Sequence, residues 1–423
     1  MVYKRRTVDD ELDELVAALP AILIEGPKAV GKTATALRRC ATSWYLDDPA
    51  QREVGEAAPQ RLLTGTPPVL LDEWQRLPET WDLVRRAVDD NPSPGRFLLT
   101  GSATPTDQPT HSGAGRIATV RMRPLSLAER GVEAPTVSLG ELLRGTHPVV
   151  EGSTTTSLER YAHEVVASGL PAVRNLHGRA LRVQLDGYIE RIIEHDFEAL
   201  GQQVRNEGGL RRWMAAFAAA TSTTTSYEKI RDAATSGEHD KPAKTTTIPY
   251  RNVLERLWVI DEVPAWLPSK RHMKRLGEAP KHHLADPALA ARLLGVGAEA
   301  LLEGRDPGPT VPRDGTLLGA LFESLVTLSV RVYAQASECR VLHFRTHGGD
   351  REVDLIIERP DHRVVAAEVK LNRTVSDDDV RHLRWLRDQI GPDLLEAMVI
   401  TSGAEAYRRA DGIVVVPAAL LGP

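Results

Sequence analysis

Apolar residues recur in two rhythms along this chain, and the changes of rhythm divide it into three stretches. Over residues 1–19, Leu12, Leu15, Val16 and Leu19 recur at three-to-four spacing, which predicts an amphipathic helix. After Pro20 the apolar positions gather into short continuous runs. These are "AILIEG", "WYLDDP" (44–49), "PPVLLDEW" (67–74), "GRFLLTGSA" (95–103) and "RIATVRMRPL" (116–125). Runs of that length between turn residues predict buried strands, and helical spacing over 79–90 separates two of them. Strands alternating with helices predict a parallel sheet with helices on both faces.

Beyond about residue 130 the helical rhythm takes over, clearest in "RVQLDGYIERIIEHDFEAL" (182–200). The polar break "TSTTTS" (221–226) precedes a short helix, "YEKIRDAAT" (227–235), and "GEHDKPAK" (237–244) predicts a loop. "TTTIPYRNVLERLWVIDEV" (245–263) predicts a helix followed by a strand. Helix, short helix, capped helix and strand is the order of a winged helix-turn-helix. From about 271 onward the pattern is mixed again: a long helix over 315–335, strands "RVLHFRT", "REVDLIIER" and "RVVAAEVKL", a helix over 377–390, and strands "AMVIT" and "GIVVVP". The expectation is an α/β chain of three parts. A P-loop NTPase-type parallel sheet covers 1–135, a helical region with a winged helix 136–270, and an α/β domain 271–423. The sequence contains no internal repeat.

Composition narrows the picture modestly. Apolar content of 42% and charged content of 26% are those of a globular chain, and a net charge of −5 excludes chain-wide attraction to polyanions. Nucleic-acid contact would need a local basic patch. Cys40 and Cys339 form no CxxC pair, which fits a reducing compartment. The N-terminus carries no apolar leader, and no apolar run approaches the roughly 20 residues of a membrane helix. The expectation is a cytoplasmic chain without membrane contact.

The first chemistry lies in "EGPKAVGKTA". Gly26, Pro27, Lys28, Ala29, Val30, Gly31, Lys32 and Thr33 fit G-x-x-x-x-G-K-[ST], with an apolar strand before and an Ala/Leu-rich helix after. Glycines let backbone wrap phosphates, and a helix N-terminus presents free N–H groups to them. Lys32 would reach the terminal phosphates and Thr33 would ligate Mg²⁺. In "VLLDE", Asp72 would hold Mg²⁺ through water and Glu73 would polarise the attacking water. Thr100 and Ser102 end a further strand, from which a polar group would sense the γ-phosphate between the P-loop strand and the acidic strand.

At these residues the chain resembles the AAA+ superfamily, and most closely prokaryotic ATPases whose AAA core is fused to an uncharacterised C-terminal domain. The matching stretches are "GPKAVGKT", "YLDDP", "VLLDEWQRLP", "LLTGSA" and "RMRPLSLAERG", with "VPAWLPSKRHMKRLGEAPKHHLADPALAARLLG" and "GTLLGALFESLV" farther on. The resemblance implies ATP as the nucleotide and is compatible with an oligomer. AAA+ relatives often complete a neighbour's site with an arginine near the end of the core. Arg116, Arg121 and Arg123 are the candidates here, and the sequence does not choose among them.

The second chemistry is C-terminal. Asp354 is followed, after thirteen residues, by Glu368-x-Lys370. Glu368 and Lys370 are two apart on a strand and share a face, and a hairpin would bring Asp354 beside them. Two carboxylates suit Mg²⁺ or Mn²⁺, and the lysine would orient a water for phosphodiester attack. The order of elements is similar to that of PD-(D/E)xK nucleases, with Glu323 as the helical acid and Val353 standing where the motif has proline. Catalytic candidates there are Glu323, Asp354, Glu368 and Lys370, with Asp354 and Glu368 as metal ligands. Arg340, His343, Arg345, Arg351, Arg373, Arg381, Arg384 and Arg387 would either line a phosphate track or belong to a mixed solvated surface. In the winged helix, Lys244, Thr245, Thr246, Thr247, Tyr250, Arg251 and Asn252 are of contact type.

Two functions fit. One is ATP hydrolysis gating a metal-dependent nuclease-like domain on nucleic acid. The other is an ATP-driven switch whose C-terminal domain is catalytically silent and binds a protein or DNA partner. A small-substrate kinase fits less well, because adjacent acids in "VLLDE" suit hydrolysis by activated water.

Overall fold

The structure is a computed structural model, and it describes residues 3–102, 113–235, 244–268, 279–311, 315–346 and 349–423. Helix α1 (Val8–Ala18) leads into β1 (Ala21–Glu25), the P-loop and α2 (Lys32–Ala36). Strands β2 (Thr42–Tyr45), β3 (Val69–Asp72), β4 (Phe97–Gly101) and β5 (Ala118–Arg121) complete a parallel sheet in the order β2-β3-β4-β1-β5. The fully buried β3 and β4 explain the unbroken apolar runs, because a parallel sheet covered on both faces hides every side chain. The order sets β4 between the P-loop strand and the acidic strand, so Thr100 stands between their C-terminal ends.

The middle region is helical. Helix Gly178–Arg191 runs into a π-helical turn, Ile192–Asp196, which widens the backbone beside the P-loop. Helices Glu207–Ala219, Tyr227–Ala233 and Lys244–Arg256 follow, the first two capped by Asn206 and Ser226. Tyr250 is buried against Phe197 and Trp213, so it belongs to this helical core rather than to a contact face. Val259–Val263 then pairs with Lys281–Ala285 as an antiparallel ribbon: Asp261 N–H donates to His283 O, Ala285 N–H to Val259 O, and Val263 and Lys281 exchange both bonds.

The C-terminal sheet has seven strands. In spatial order they are Gly152–Ser153, Glu405–Arg408, Val414–Pro417, Leu394–Thr401, Val364–Lys370, Glu352–Glu358 and Arg340–Arg345. Helix Leu317–Gln335 crosses beneath it. This helix is long and apolar enough to span a membrane by length and composition, which the sequence reading did not register. Apolar residues surround nearly its whole circumference, as expected of a helix buried in a protein core, and 83% of its most apolar window is buried.

One strand of this sheet carries an acid-sensitive group. His343 is 1% exposed, its Nε2 lies 3.1 Å from Ala279 O, and its Nδ1 has no hydrogen-bond partner among the described residues. Burial first, then the Lys281 ammonium, push its pKa down to about 4, with Asp354 opposing and Arg345 adding to the fall. Below about pH 6.5 the unfolded chain takes up a proton that the native state refuses, so stability drops as pH falls toward 4. The loss reaches about 3 kcal/mol at the lower end. Urea titrations of wild type and His343→Gln between pH 7 and 4 check this: the variant is expected to show the shallower decline.

Candidate functional site

The P-loop is wound tightly. Gly26 (φ 148°) and Gly31 (φ 103°) take left-handed backbone, and a Cβ on Gly26 would collide with the Met122 carbonyl. Ala29 is also left-handed, and Val30 is fully buried beneath the loop. Lys32, 5% exposed, folds back so that Nζ donates to the Gly26 and Pro27 carbonyls at 3.0 Å each. Burial lowers its pKa to about 8 against the opposing charges of Glu73 and Asp72.

Thr33 Oγ1 donates to Asp72 Oδ1 at 2.8 Å, and the Thr100 hydroxyl donates to the same oxygen. Asp72 is thereby shared between the P-loop helix and β4. Glu73 follows in left-handed backbone (φ 54°), with Gln75 Nε2 on one carboxylate oxygen at 2.5 Å and Ser102 Oγ on the other at 3.3 Å. These residues fit a Mg²⁺-bound triphosphate. The loop closes around an ammonium that has only carbonyls for partners, and the hydroxyl and carboxylate that would share Mg²⁺ already meet.

Side chains from outside the sheet hold the loop. Lys28 Nζ pairs with Asp196 Oδ1 of the π-helical turn at 2.5 Å, Tyr188 Oη donates to Lys28 O at 3.4 Å, and Arg6 Nη1 donates to Val30 O at 3.0 Å.

The C-terminal carboxylates converge as the spacing predicts, with an addition the sequence reading missed. Lys281, from the ribbon, is 1% exposed. Its Nζ lies 2.9 Å from Glu323 Oε1, 3.0 Å from Asp354 Oδ1 and 3.1 Å from Glu352 Oε1. Asp354 Oδ2 accepts from Val369 N–H at 2.9 Å, and Lys370 Nζ sits 2.8 Å from Glu368 Oε2. Glu368 is 4% exposed and lies within hydrogen-bonding reach of Asp354, with His382 Nδ1 3.9 Å from its Oε1.

Burial alone would drive the proton off Lys281, but Asp354, Glu323 and Glu352 outweigh it and hold the pKa well above the ordinary lysine value. Burial raises Glu323 to about 8 despite the Lys281 ammonium, and burial with the Asp354 charge raises Glu368 well above the carboxylate range. A divalent cation does not fit this arrangement, because an ammonium already occupies the point where the acids meet. Among the described residues, no group of three or more His, Cys, Asp or Glu side chains is disposed to hold a metal.

Residues 19–130 match the AAA domain family. The N-terminal region is a P-loop ATPase domain. Residues 158–300 and 318–421 match two domains of unknown function, DUF8612 and DUF4143. The chain is also similar to uncharacterised proteins of Mycobacterium bovis and Mycobacterium tuberculosis. Each is 26% identical over 426 aligned residues, which span 99% of this chain and 84% of the relative. Among solved structures it is similar to a Walker-type ATPase of Pyrococcus abyssi at 16% identity. The TM-score is 0.39, with 69% of this chain and 96% of that one covered.

The arginines at the end of the ATPase domain are all engaged within the chain. Arg116 Nε bonds Asp89 at 2.8 Å. Arg121, at 3.1 Å, and Arg123, at 2.9 Å, converge with Arg331, at 2.8 Å, on Asp261 of the ribbon. Burial works to raise the Asp261 pKa, but the three guanidiniums reverse this and hold its carboxyl far below the usual range.

Several of the C-terminal arginines are likewise paired: Arg340 with Glu358, Arg345 with Glu352, and Arg384 with Asp377 and Asp411. In the helix Lys244–Arg256, Lys244 pairs with Glu228 and Arg251 lies over the Tyr227 ring, while Thr245, Thr246 and Asn252 are exposed. Ala103 and most of the expected loop (237–243) lie outside the described residues.

Lys281, Glu352, Asp261, Asp196 and Gln75 are the site residues that motif reading did not single out. The available signal for Lys281 was a lone lysine within "PKHHLAD", a stretch otherwise fit for burial, since a buried lysine requires carboxylate partners.

Proposed function

We propose that the chain is an ATP-hydrolysing switch whose C-terminal domain is catalytically silent in this conformation and acts by binding a partner. In this reading Gly26–Thr33 cradles the phosphates and Lys32 neutralises the terminal ones. Thr33 and Asp72 would hold Mg²⁺, Glu73 activates the water, and Ser102 reports on the γ-phosphate. The Glu323, Asp354, Glu368 and Lys370 cluster has the element order of a PD-(D/E)xK domain without room for its metal. The observation that carries the reading is the Lys281 ammonium at the meeting point of the acids.

The three helices 207–256 and the following ribbon have the order of a winged helix, which favours DNA or a protein as the partner and supplies exposed Thr245, Thr246 and Asn252 for the contact. The test is an assay of purified protein on single- and double-stranded DNA with Mg²⁺ or Mn²⁺, with and without ATP, beside Lys32→Ala and Glu368→Ala. ATP hydrolysis without DNA cleavage is expected. Cleavage that disappears in Glu368→Ala would refute the silent domain and restore the ATP-gated nuclease.

A further inference from the structure

The strand Arg340–Arg345 pairs with Glu352–Glu358 along one edge, and its other edge is only partly covered. On that side His343 N–H donates to Pro264 O at 2.9 Å and Trp266 N–H donates to His343 O at 2.6 Å, so Ala265 lies parallel to the strand. Backbone groups two residues apart face the same way, so Val341 turns its N–H and C=O to this side too. The same parallel register would bring Glu262 O to the Val341 N–H and a donor at position 264 to its carbonyl. Neither serves. Pro264 has no N–H, and Glu262 O accepts from Arg331 Nη1 at 3.0 Å. The covering chain turns off to pair Val263 with Lys281, and no backbone partner meets Val341 on this side among the described residues. A donor and an acceptor therefore stand open on a sheet edge, where a further strand can add.

A groove of about 660 Å³ runs beside Arg340, Val341 and Leu342. Pro264, Ala265 and Pro280 give it an apolar wall, while Arg123, Arg331 and Arg340 make the opposite character, and no Asp or Glu lines it among the described residues. The charge there is in surplus. Asp261 is shared by Arg121, Arg123 and Arg331, so one carboxylate serves three guanidiniums. Burial lowers the Arg331 pKa to about 9 against the pull of Asp261, and Arg123 and Arg121 add to the fall. Arg340 is 64% exposed beside its partner, Glu358. Residues 269–278, which join the two strands of the ribbon in sequence, contain four Lys or Arg and a single Glu, so like charge disfavours them as the occupant.

We infer that this groove docks an extended acidic segment of a partner protein. The segment adds a strand beside Arg340–Leu342. Its backbone pairs with Val341, its carboxylates meet Arg340, Arg123 and Arg331, and its apolar side chains lie on Pro264 and Pro280. The inference deepens the switch reading above and rests on it. It names a protein rather than DNA as the partner, because a nucleic acid has no backbone amides to pair with an open edge. The groove also adjoins the ATPase domain: Arg123 lies two residues past Arg121, the register partner of Glu25 at the entry to the P-loop.

The test uses the whole protein, immobilised, and a displayed library of random peptides. Enriched peptides are expected to carry Asp or Glu alternating with aliphatic residues. Synthesised with a fluorescent label, they are expected to bind Arg340→Gln and Val341→Pro about tenfold more weakly than wild type, by fluorescence anisotropy. Val341→Pro removes the outward N–H and leaves the ladder to Glu352–Glu358 in place, since proline is tolerated on an edge strand where its nitrogen faces away from the sheet. Methylating alternate backbone nitrogens of the peptide, or replacing its acids by lysine, is expected to abolish binding to wild type. A labelled thymidine oligonucleotide is expected not to compete.

No peptide enriched over the bare support overturns the docking groove. So do enriched peptides that bind Arg340→Gln and Val341→Pro as tightly as wild type, or that keep their affinity when N-methylated. The methylated peptides need no protein variant, so the strand addition stays testable if Val341→Pro fails to fold. Oligonucleotide binding that depends on Arg340, with no peptide captured, assigns the groove to nucleic acid instead. ATP hydrolysis measured on the same preparations separates the failures. Hydrolysis without peptide capture removes this inference alone, whereas absent hydrolysis removes the switch reading beneath it.

Discussion

Glu73→Gln is expected to lower the rate of ATP hydrolysis by about 10²–10⁴-fold while ATP still binds, the range lost with a positioned general base. The substitution is nearly isosteric and leaves the left-handed backbone at this position no more strained than before. It removes the negative charge that Gln75 and Ser102 hold in place, and with it the capacity to draw a proton from water. Lys32→Ala should behave differently. Its ammonium is buried within the loop that the motif wraps around the phosphates, so the variant loses nucleotide affinity together with turnover. Phosphate release and binding of a fluorescent ATP analogue, measured in parallel, distinguish the two patterns. A Glu73→Gln enzyme that turns over at the wild-type rate would assign the base to another residue.

What could be read from the sequence divides along a physical line. The P-loop, the acidic strand and the Asp354…Glu368-x-Lys370 spacing are local patterns, so neighbouring residues carried enough information to place them. Helix 79–90 and the long C-terminal helix followed from periodicity in the same way, and the structure puts them at Glu79–Asp90 and Leu317–Gln335. The sheet order β2-β3-β4-β1-β5 and the position of Thr100 between the two phosphate-binding strands are tertiary facts that motif order only suggested.

The acid centre defeated local reading because its cation comes from elsewhere. Lys281 lies 42 residues from Glu323 and 73 from Asp354, and no spacing rule links a ribbon lysine to a helix and a sheet. Arg121 and Arg123 stayed open as candidates for completing a neighbour's site for the same reason, since Arg123 meets its carboxylate 138 residues later. Tyr250 had the composition of a contact residue but stands on the inward face of its helix, where Phe197 and Trp213 take it up.

Asp261→Ala is expected to cost about 3–5 kcal/mol of stability, the loss seen when one partner leaves a buried ion pair. Asp261 is 6% exposed, and the side chains of Arg123 and Arg331 are only 10% and 12% exposed. With the carboxylate gone, the three guanidiniums lose the counter-charge they share, although Glu25 still acts on Arg121. Arg331 would keep its bonds to the Asp261 and Glu262 carbonyls, and Arg121 its contact with Trp258, so the cost is mainly electrostatic rather than one of lost packing.

Two further variants sharpen the argument. Asp261→Asn retains a carbonyl acceptor and should lose less. Asp261→Leu combined with Arg331→Met removes one charge of each sign and should recover part of the loss, because leaving a charge unpaired costs more than removing the pair. Arg5→Ala, which breaks an exposed pair with Asp10, should leave the unfolding transition where it is. Urea unfolding followed by tryptophan fluorescence reports directly, since Trp258 lies under Arg121. If Asp261→Ala unfolds no more readily than Arg5→Ala, the three arginines do not depend on Asp261, and the ribbon has no electrostatic anchor on the ATPase domain.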